Sequence, residues 1–418
     1  MKRLLLLVLL ATPLATYAAK ALDPAPAELL QRGEYLARAG DCAACHTSPG
    51  GKPFAGGLPL ATPLGAVYST NITPDPKTGI GSYSYDDFAR ALRDGVAKGG
   101  TRLYPAMPYT AYAKITDEDM KALYAWFLEG GVQAVAQPNQ DSDIAWPLNM
   151  RWPLGIWNAL FTDAKPYQPV AAQTPEWNRG AYLVQGLGHC GTCHTPRGIA
   201  FQEKALDQTG AAYLSGAKLA GWYAADLAGA TDSSLQGWSE ADLVEFLKAG
   251  RNTHTAAFGP MGEAVAHSTQ YFNDADLKAV AVYLKSLSAG REVAAVGSDS
   301  TTVKLVEGKP ASLGEELYLD NCAACHRSDG RGYRSTFPRL AGNSAVLGAS
   351  ADSLIRIILN GSSVPVTQSA PTGLSMPAFG WRLDDAQVAE LASFLRSAWG
   401  YQAAPVRAEE VAHLRALK

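Results

Sequence analysis

All six cysteines of the chain occur in pairs, and a histidine directly follows each pair. The motifs share the spacing Cys-x-x-Cys-His and consist of Cys42, Cys45 and His46; Cys190, Cys193 and His194; and Cys322, Cys325 and His326. This spacing is the attachment signature of haem c, in which two thiols bind one porphyrin and the histidine becomes the proximal iron ligand. A redox disulfide or half of a zinc site also uses Cys-x-x-Cys, but three copies with their histidines favour three covalent haem c groups.

Each iron needs a second axial ligand, and the methionines supply candidates. The predicted ligands share a neighbouring proline and a place just before the last helix of a repeated unit, and they are Met107, Met261 and Met376. A thioether ligand raises the reduction potential and closes the iron to other ligands. In the second unit, His254 and His267 leave His/His ligation open as an alternative to Met261. Met120 and Met150 are predicted to be packing residues instead.

The proximal histidine of the third motif has an expected partner. Pro338 follows His326 by twelve residues, and a backbone carbonyl near that proline can hold the orientation of the ring. Arg339 can pair with a haem propionate, or it can be a solvated loop residue. No functional role is predicted for His189 or His413.

A helical unit that occurs three times is expected to position these motifs. The predicted helix before each motif contains a glycine, at Gly33, Gly180 and Gly314. Because glycine weakens a helix interior, its recurrence predicts close packing against another helix, and the last helix of each unit is the expected partner. These last helices share a predicted N-cap and one apolar face, and the N-caps are Thr116, Asn273 and Asp384. A middle helix in each unit is predicted to end at a glycine, namely Gly95, Gly250 and Gly361.

The composition and the N-terminal residues are typical of an exported globular protein. The 418 residues carry a net charge of −3, with 18% charged and 47% hydrophobic residues, so no basic face for nucleic acid is expected. Residues 1–18 are predicted to be a signal peptide, because Lys2 and Arg3 precede a short apolar run and a set of small residues. The run is short for a bilayer span, and an uncleaved anchor is the alternative. The mature chain is therefore expected to be soluble or peripheral to a membrane, outside the cytoplasm.

Five stretches carry a resemblance to a known family, and they are residues 33–42, 68–75, 103–109, 189–197 and 337–343. Together they resemble the three-haem cytochrome c subunits of membrane-bound bacterial dehydrogenases of the alcohol and gluconate dehydrogenase type. The resemblance extends over nearly the whole mature chain. It implies a location in the periplasm at the outer face of the inner membrane. It also implies a separate catalytic subunit that bears pyrroloquinoline quinone, flavin or molybdenum, and electron delivery to ubiquinone or an oxidase.

The expected fold is mainly α, with three tandem class I cytochrome c domains. The predicted segments are residues 1–18 (signal peptide), 24–135 (first domain), 136–174 (Trp/Pro-rich linker), 175–290 (second domain), 291–308 (second linker), 309–402 (third domain) and 403–418 (C-terminal tail). Each domain is small for a self-sufficient core, and a covalent haem supplies the missing apolar mass.

The segments outside the domains have their own predicted roles. The first linker contains Trp146 and Trp152, and a packing strap between domains is favoured over a docking surface for the catalytic subunit. The second linker is predicted to be a flexible polar connector. In the tail, Val411, Leu414 and Leu417 have helical spacing, and a plain surface helix is favoured over a helix that lies on a membrane.

An electron carrier is the function that these features favour. An enzyme such as a multihaem peroxidase needs an iron with an open or displaceable site, and three methionines at corresponding positions argue against one. A subunit of a terminal oxidase usually has a membrane-spanning anchor, and no such stretch is apparent after the signal peptide. We therefore expect a non-catalytic subunit of an oxidoreductase complex, with a peripheral membrane contact.

Overall fold

The computed structural model describes residues 25–229, 234–288 and 296–417. The predicted signal peptide, residues 1–18, lies outside the described residues, as do residues 289–295, which include the start of the second linker. The described ranges are mainly helical and contain three two-stranded sheets. The prediction of a mainly α fold is confirmed.

The first unit begins with the helix that leads into the first motif. Its helices are α1 (Ala27–Ala39), α2 (Cys42–His46), α3 (Tyr85–Asp94), α4 (Tyr109–Tyr112) and α5 (Asp117–Leu128). Strands β1 (Pro59–Thr62) and β2 (Gly65–Tyr68) form an antiparallel hairpin with Pro59 opposite Tyr68. Helix α6 (Leu154–Phe161) follows in the first linker.

The second unit follows the same order, whereas in the third unit the hairpin comes after the middle helix. The second contains α7 (Pro175–Gln185), α8 (Gly191–His194), α9 (Glu240–Ala249), α10 (Gly259–His267) and α11 (Asp274–Leu287), with short 3-10 helices at Ser234–Gly237 and Thr269–Tyr271. The third contains α12 (Thr301–Val306), α13 (Leu313–Asn321), α14 (Ala323–His326), α15 (Ser344–Leu347), α16 (Asp352–Asn360), α17 (Asp385–Ser397) and α18 (Ala408–Ala416). The antiparallel hairpins are β3 (Ala217–Leu219) with β4 (Trp222–Ala224), and β5 (Ser362–Ser363) with β6 (Ser375–Met376).

The recurring glycines lie where the first and last helices of each unit touch. A Cβ on Gly33 would lie 2.1 Å from the carbonyl oxygen of Ala122 in α5, and one on Gly180 would lie 2.0 Å from that of Ala279 in α11. A Cβ on Gly314 would lie 2.6 Å from a side-chain carbon of α17. No larger residue fits at such distances without separating the helices. The predicted close packing is confirmed in all three units.

The predicted helix ends are also confirmed. The last helices α5, α11 and α17 each start at a side chain that accepts a hydrogen bond from the backbone N–H three residues later, and these caps are Thr116, Asn273 and Asp384. The middle helices α3 and α9 end at Gly95 and Gly250 in the left-handed conformation. Gly361 after α16 also has a positive φ of 71°, which favours glycine.

Two hydrophobic cores organise the described residues. One contains buried side chains from both the first and the second unit, such as Leu36 and Leu183. The other belongs to the third unit and includes Leu305 of α12 together with Val411 and Leu414 of α18. The prediction of a flexible second linker is wrong for α12, because Leu305 anchors that helix. The surface-helix prediction for the tail is confirmed, since the apolar face of α18 is buried against the protein.

Helix α6 of the first linker contacts both the first and the second unit. In α6, Trp157 donates its indole N–H to the carbonyl oxygen of Ala200 in the second unit at 2.8 Å. The next residue, Asn158, donates to the carbonyl of Asp94 at 2.7 Å and accepts from the Tyr109 hydroxyl at 2.8 Å, both in the first unit. This part of the linker is the strap that the sequence predicts.

Several large apolar side chains of the linker are exposed. Trp146 and Trp152 are 79% and 67% exposed, and Ile156 and Leu160 on the outer side of α6 are exposed as well. The packing role predicted for Met150 is wrong, because its neighbours leave it 39% exposed. Within the described ranges, none of the helices combines the length and the apolarity needed to cross a bilayer.

Candidate haem sites

Each Cys-x-x-Cys-His motif lies in or at the start of a short helix, α2, α8 or α14, just after the glycine-bearing helix of its unit. All six thiols are free. Burial raises the pKa of Cys42, Cys190 and Cys322 to about 12. Disulfide exchange needs a thiolate, which such surroundings disfavour. Among the described residues, no three His, Cys, Asp or Glu side chains lie together as a zinc ion would need. A thioether carries no charge, so these half-buried or buried positions fit covalent haem attachment.

The three motif histidines are held in one common way. In each, Nδ1 donates to a backbone carbonyl oxygen, and the pairs are His46 with Thr70 at 2.6 Å, His194 with Ala225 at 2.7 Å, and His326 with Pro338 at 2.8 Å. Burial lowers the pKa of all three rings, which favours the neutral form that binds metals. With Nδ1 engaged, Nε2 is the atom left for iron. The expected carbonyl near Pro338 is therefore present, whereas Arg339 donates its Nε–H to the carbonyl of Ala341 at 2.8 Å.

The three predicted methionine ligands occupy different local structures. Met107 lies in the turn before α4, Met261 in the first turn of α10, and Met376 in strand β6. Met107 and Met261 pack against the core shared by the first two units, which the first two motifs also border. Pro260 occupies the first turn of the helix that contains Met261, where its missing N–H costs nothing.

The alternative histidine ligands of the second unit have other surroundings. His254 stacks on Trp238 with ring centroids 5.1 Å apart, and its Nε2 lies 3.4 Å from a carboxylate oxygen of Asp242. His267 is exposed at the end of α10. These positions favour Met261 over His/His ligation.

Two residues that sequence reasoning missed lie between the first two motifs. Asp41 and His189 each precede the first cysteine of a motif and have positive φ angles of 54° and 36°. Burial, reinforced by Glu263, raises the pKa of Asp41 to about 8, and burial lowers that of His189 to about 4. The His189 ring packs on Tyr112 at 5.7 Å, and the Tyr112 hydroxyl donates to the carbonyl of Gly40 at 2.6 Å. The first and second motifs are therefore connected by a buried contact between the two units. Because the partners are far apart in sequence, no local sequence pattern predicts this contact.

The chain is mainly helical, and every motif combines two cysteines that can bind haem with a histidine ring held in a fixed orientation. These are the features of a c-type cytochrome. Residues 178–288 and 311–399 match the family model for cytochrome c. Residues 28–127 match the model described as cytochrome c oxidase, cbb3-type, subunit III. Each matched range contains one Cys-x-x-Cys-His motif.

Relatives that match nearly the whole chain show which kind of c-type cytochrome it is. The gluconate 2-dehydrogenase cytochrome c subunit of Pantoea cypripedii is 54% identical, over 99% of this chain and 95% of the relative. The cytochrome c subunit of the quinone alcohol dehydrogenase of Gluconobacter oxydans is 47% identical, over 93% and 82%. The fructose dehydrogenase cytochrome subunit of Gluconobacter japonicus is 39% identical, over 94% and 85%. The chain belongs to this family of dehydrogenase cytochrome c subunits, and it is an electron carrier with covalent haem c rather than a catalytic subunit.

Proposed function

We propose that the chain passes electrons through three haem c groups, from the catalytic subunit of a periplasmic dehydrogenase to ubiquinone or another respiratory acceptor. The observation that carries this proposal is the fixed imidazole at all three motifs, each with Nδ1 on a carbonyl and Nε2 left for iron. Haem c supplies one-electron exchange at its iron when bound. The names of the relatives support a dehydrogenase partner, and the sequence resemblance implies that this partner bears pyrroloquinoline quinone, flavin or molybdenum.

Each site is proposed to use two cysteines as thioether anchors and two axial ligands. The sets are Cys42, Cys45, His46 and Met107; Cys190, Cys193, His194 and Met261; and Cys322, Cys325, His326 and Met376. The carbonyl partner of each histidine fixes which ring nitrogen meets the iron. The methionine side excludes outside ligands, which suits an electron carrier.

The second unit is proposed to be the middle of the relay, because it contacts both neighbours. On one side, Ser268 of the second unit donates its hydroxyl to the carbonyl of Ala39, three residues before the first motif, at 3.0 Å. On the other side, the backbone N–H of Tyr223 in β4 donates to the hydroxyl of Ser353 in α16 at 2.9 Å. The predicted domains 24–135 and 175–290 are retained in this proposal. The third is proposed to extend from α12 to α18, beyond 309–402, because both helices share its core.

Reduction by substrate is expected to need the catalytic subunit. The purified cytochrome should stay oxidised when the alcohol or sugar acid is added, because no electron donor is available to it. In the purified complex, the same substrate should reduce the haem groups, and a quinone analogue should reoxidise them. Visible absorption spectra recorded after mixing report both steps. Rapid reduction of the isolated chain by the substrate would contradict the proposal and indicate an enzyme.

The exposed part of the first linker is proposed to contact the outer face of the inner membrane. Trp146 and Trp152 come shortly before α6 in the chain, and both are exposed, as are Ile156 and Leu160 of α6. Large exposed apolar patches mark interaction sites, and tryptophan beside aliphatic residues is typical of the membrane interface. The guanidinium of Arg151 lies over the Tyr104 ring at 3.7 Å, which places a cation beside this patch, as on interfacial helices that bind anionic lipids.

Replacing Trp146, Trp152, Ile156 and Leu160 together by serine is expected to weaken vesicle binding at least about 100-fold, since each large apolar side chain contributes roughly 1.5 kcal/mol when buried. Co-sedimentation with vesicles of phosphatidylglycerol and phosphatidylethanolamine measures the loss. Trp381→Ser is the matched control, because Trp381 is 83% exposed in the third unit. If the serine variant keeps vesicle binding but loses the catalytic subunit, the patch is a protein docking surface and the membrane proposal is wrong.

A further inference from the structure

Two equivalent hydrogen bonds cross between the first and second units. Tyr182 of the second unit donates to the carboxylate of Asp119 in the first at 2.6 Å. Tyr35 of the first unit donates to the carboxylate of Asp276 in the second. Both tyrosines lie two residues after the packing glycine of their first helix, and both aspartates lie three residues after the N-cap of their last helix. The two units therefore exchange the same contact, as the halves of a two-fold symmetric dimer do.

Each carboxylate is also paired with an arginine of its own unit. Arg32 donates from Nε to Asp119 at 2.8 Å, and Arg179 donates twice to Asp276, with both bonds at 2.7 Å. Asp119 and Asp276 are only 2% and 5% exposed. Burial by itself would raise the pKa of Asp276, but hydrogen bonds from Arg179 and Tyr35 bring it below its ordinary value. Such a buried carboxylate depends on all of its partners, so the crossing tyrosine is part of its stabilisation.

The third unit lacks every member of this arrangement. The residues at the positions of the arginine, the tyrosine and the aspartate are Leu313, Glu316 and Gln387. The third unit has the same glycine packing and the same cap on its last helix. The differences therefore affect contacts with another unit and not the fold of the third unit itself. They agree with the two cores, one shared by the first and second units and one formed by the third.

We propose that Tyr35 and Tyr182 are positioning residues that hold the first two haem sites together as one electron-sharing pair. The inference rests on the proposed haem attachment at the first two motifs. The tyrosines lie on α1 and α7, and these helices lead directly into α2 and α8, which carry the motifs. A hydrogen bond that ties α1 to α11, or α7 to α5, therefore sets the position of one motif relative to the other. Electron exchange falls steeply with distance, so this position controls its rate.

The double variant Tyr35→Phe/Tyr182→Phe of the full-length haem-loaded protein tests the proposal. Two haem groups held close together give a paired positive and negative circular dichroism signal in the Soret band. We expect this paired signal in the unaltered protein and its loss in the double variant, together with a smaller difference between the first two reduction potentials. Each single variant should lose part of the signal, and the two losses should be similar because the contacts are equivalent. If the double variant does not accumulate, the single variants decide the question.

Tyr283→Phe is the matched control, because the buried Tyr283 hydroxyl bonds to side chains of its own unit, Gln185 and Gln208. The haem count of each protein is measured by intact mass. Three haem groups with no paired signal in the unaltered protein, an unchanged signal in the double variant, or an equal loss in Tyr283→Phe would each overturn the pairing and leave the proposed function standing. Fewer than three haem groups in the unaltered chain would instead contradict the proposed function.

Discussion

Replacing Met107, Met261 or Met376 singly by alanine is expected to let one of the three irons bind carbon monoxide and to lower the reduction potential of that site. The physical reason is that a thioether both occupies the sixth position and stabilises the reduced iron. Axial ligands tune haem potentials over roughly 0.8 V, so a shift on the order of 0.1 V is expected. Carbon monoxide difference spectra and a potentiometric titration measure the two effects. The other two sites should keep their potentials.

Met150→Ala serves as the control for this series, because Met150 lies in the linker and is 39% exposed. It should bind no carbon monoxide. The second unit provides the critical case, since it also contains His254 and His267. If Met261→Ala leaves the spectrum of the second site unchanged and His267→Ala disrupts it, that site has two histidine ligands and the methionine assignment is wrong there.

Sequence patterns predicted the internal architecture of each unit because that architecture is encoded by local spacing. Gly33 and Gly180 mark a helix contact that only glycine permits, and caps such as Thr116 bond within three residues along the chain. Pro338 lies close enough in sequence to His326 for its carbonyl to be anticipated. In each case the structural role permits only a few residue types at that position, so the sequence itself shows the role.

Contacts between units were not predictable in the same way. Tyr35 and Asp276 are separated by 241 positions, and neither residue type is unusual for a helix. The same holds for His189, whose environment comes from Tyr112 of the other unit. Helix α12 was not predicted because its one buried side chain, Leu305, lies in a polar segment whose composition is typical of a linker. Contacts between units depend on the complementary shapes and charges of two folded surfaces. Composition and periodicity describe single segments and do not predict such contacts.

Gly180→Ala is expected to destabilise the protein by about 2 kcal/mol or more, although alanine is the better helix former by about 1 kcal/mol. The new Cβ would lie 2.0 Å from the carbonyl oxygen of Ala279, so α7 and α11 must move apart. The obstacle is backbone, which cannot rotate away as a side chain does. Denaturant unfolding followed in the Soret band measures the change, and the haem content of the second site should fall as well.

The distances of these clashes predict how the loss of stability on replacement by alanine differs among the three equivalent glycines. Gly33→Ala should cost about as much as Gly180→Ala, since its Cβ would lie 2.1 Å from a carbonyl oxygen. Gly314→Ala should cost less, because its nearest contacts are farther away, the Cβ of Phe394 at 2.6 Å and the carbonyl oxygen of Glu390 at 2.7 Å. Gly237→Ala is the control, since a Cβ there would meet nothing within 4 Å. Equal stabilities for Gly180→Ala and Gly237→Ala would show that α7 and α11 can separate freely, and the repeated glycine would then need another explanation.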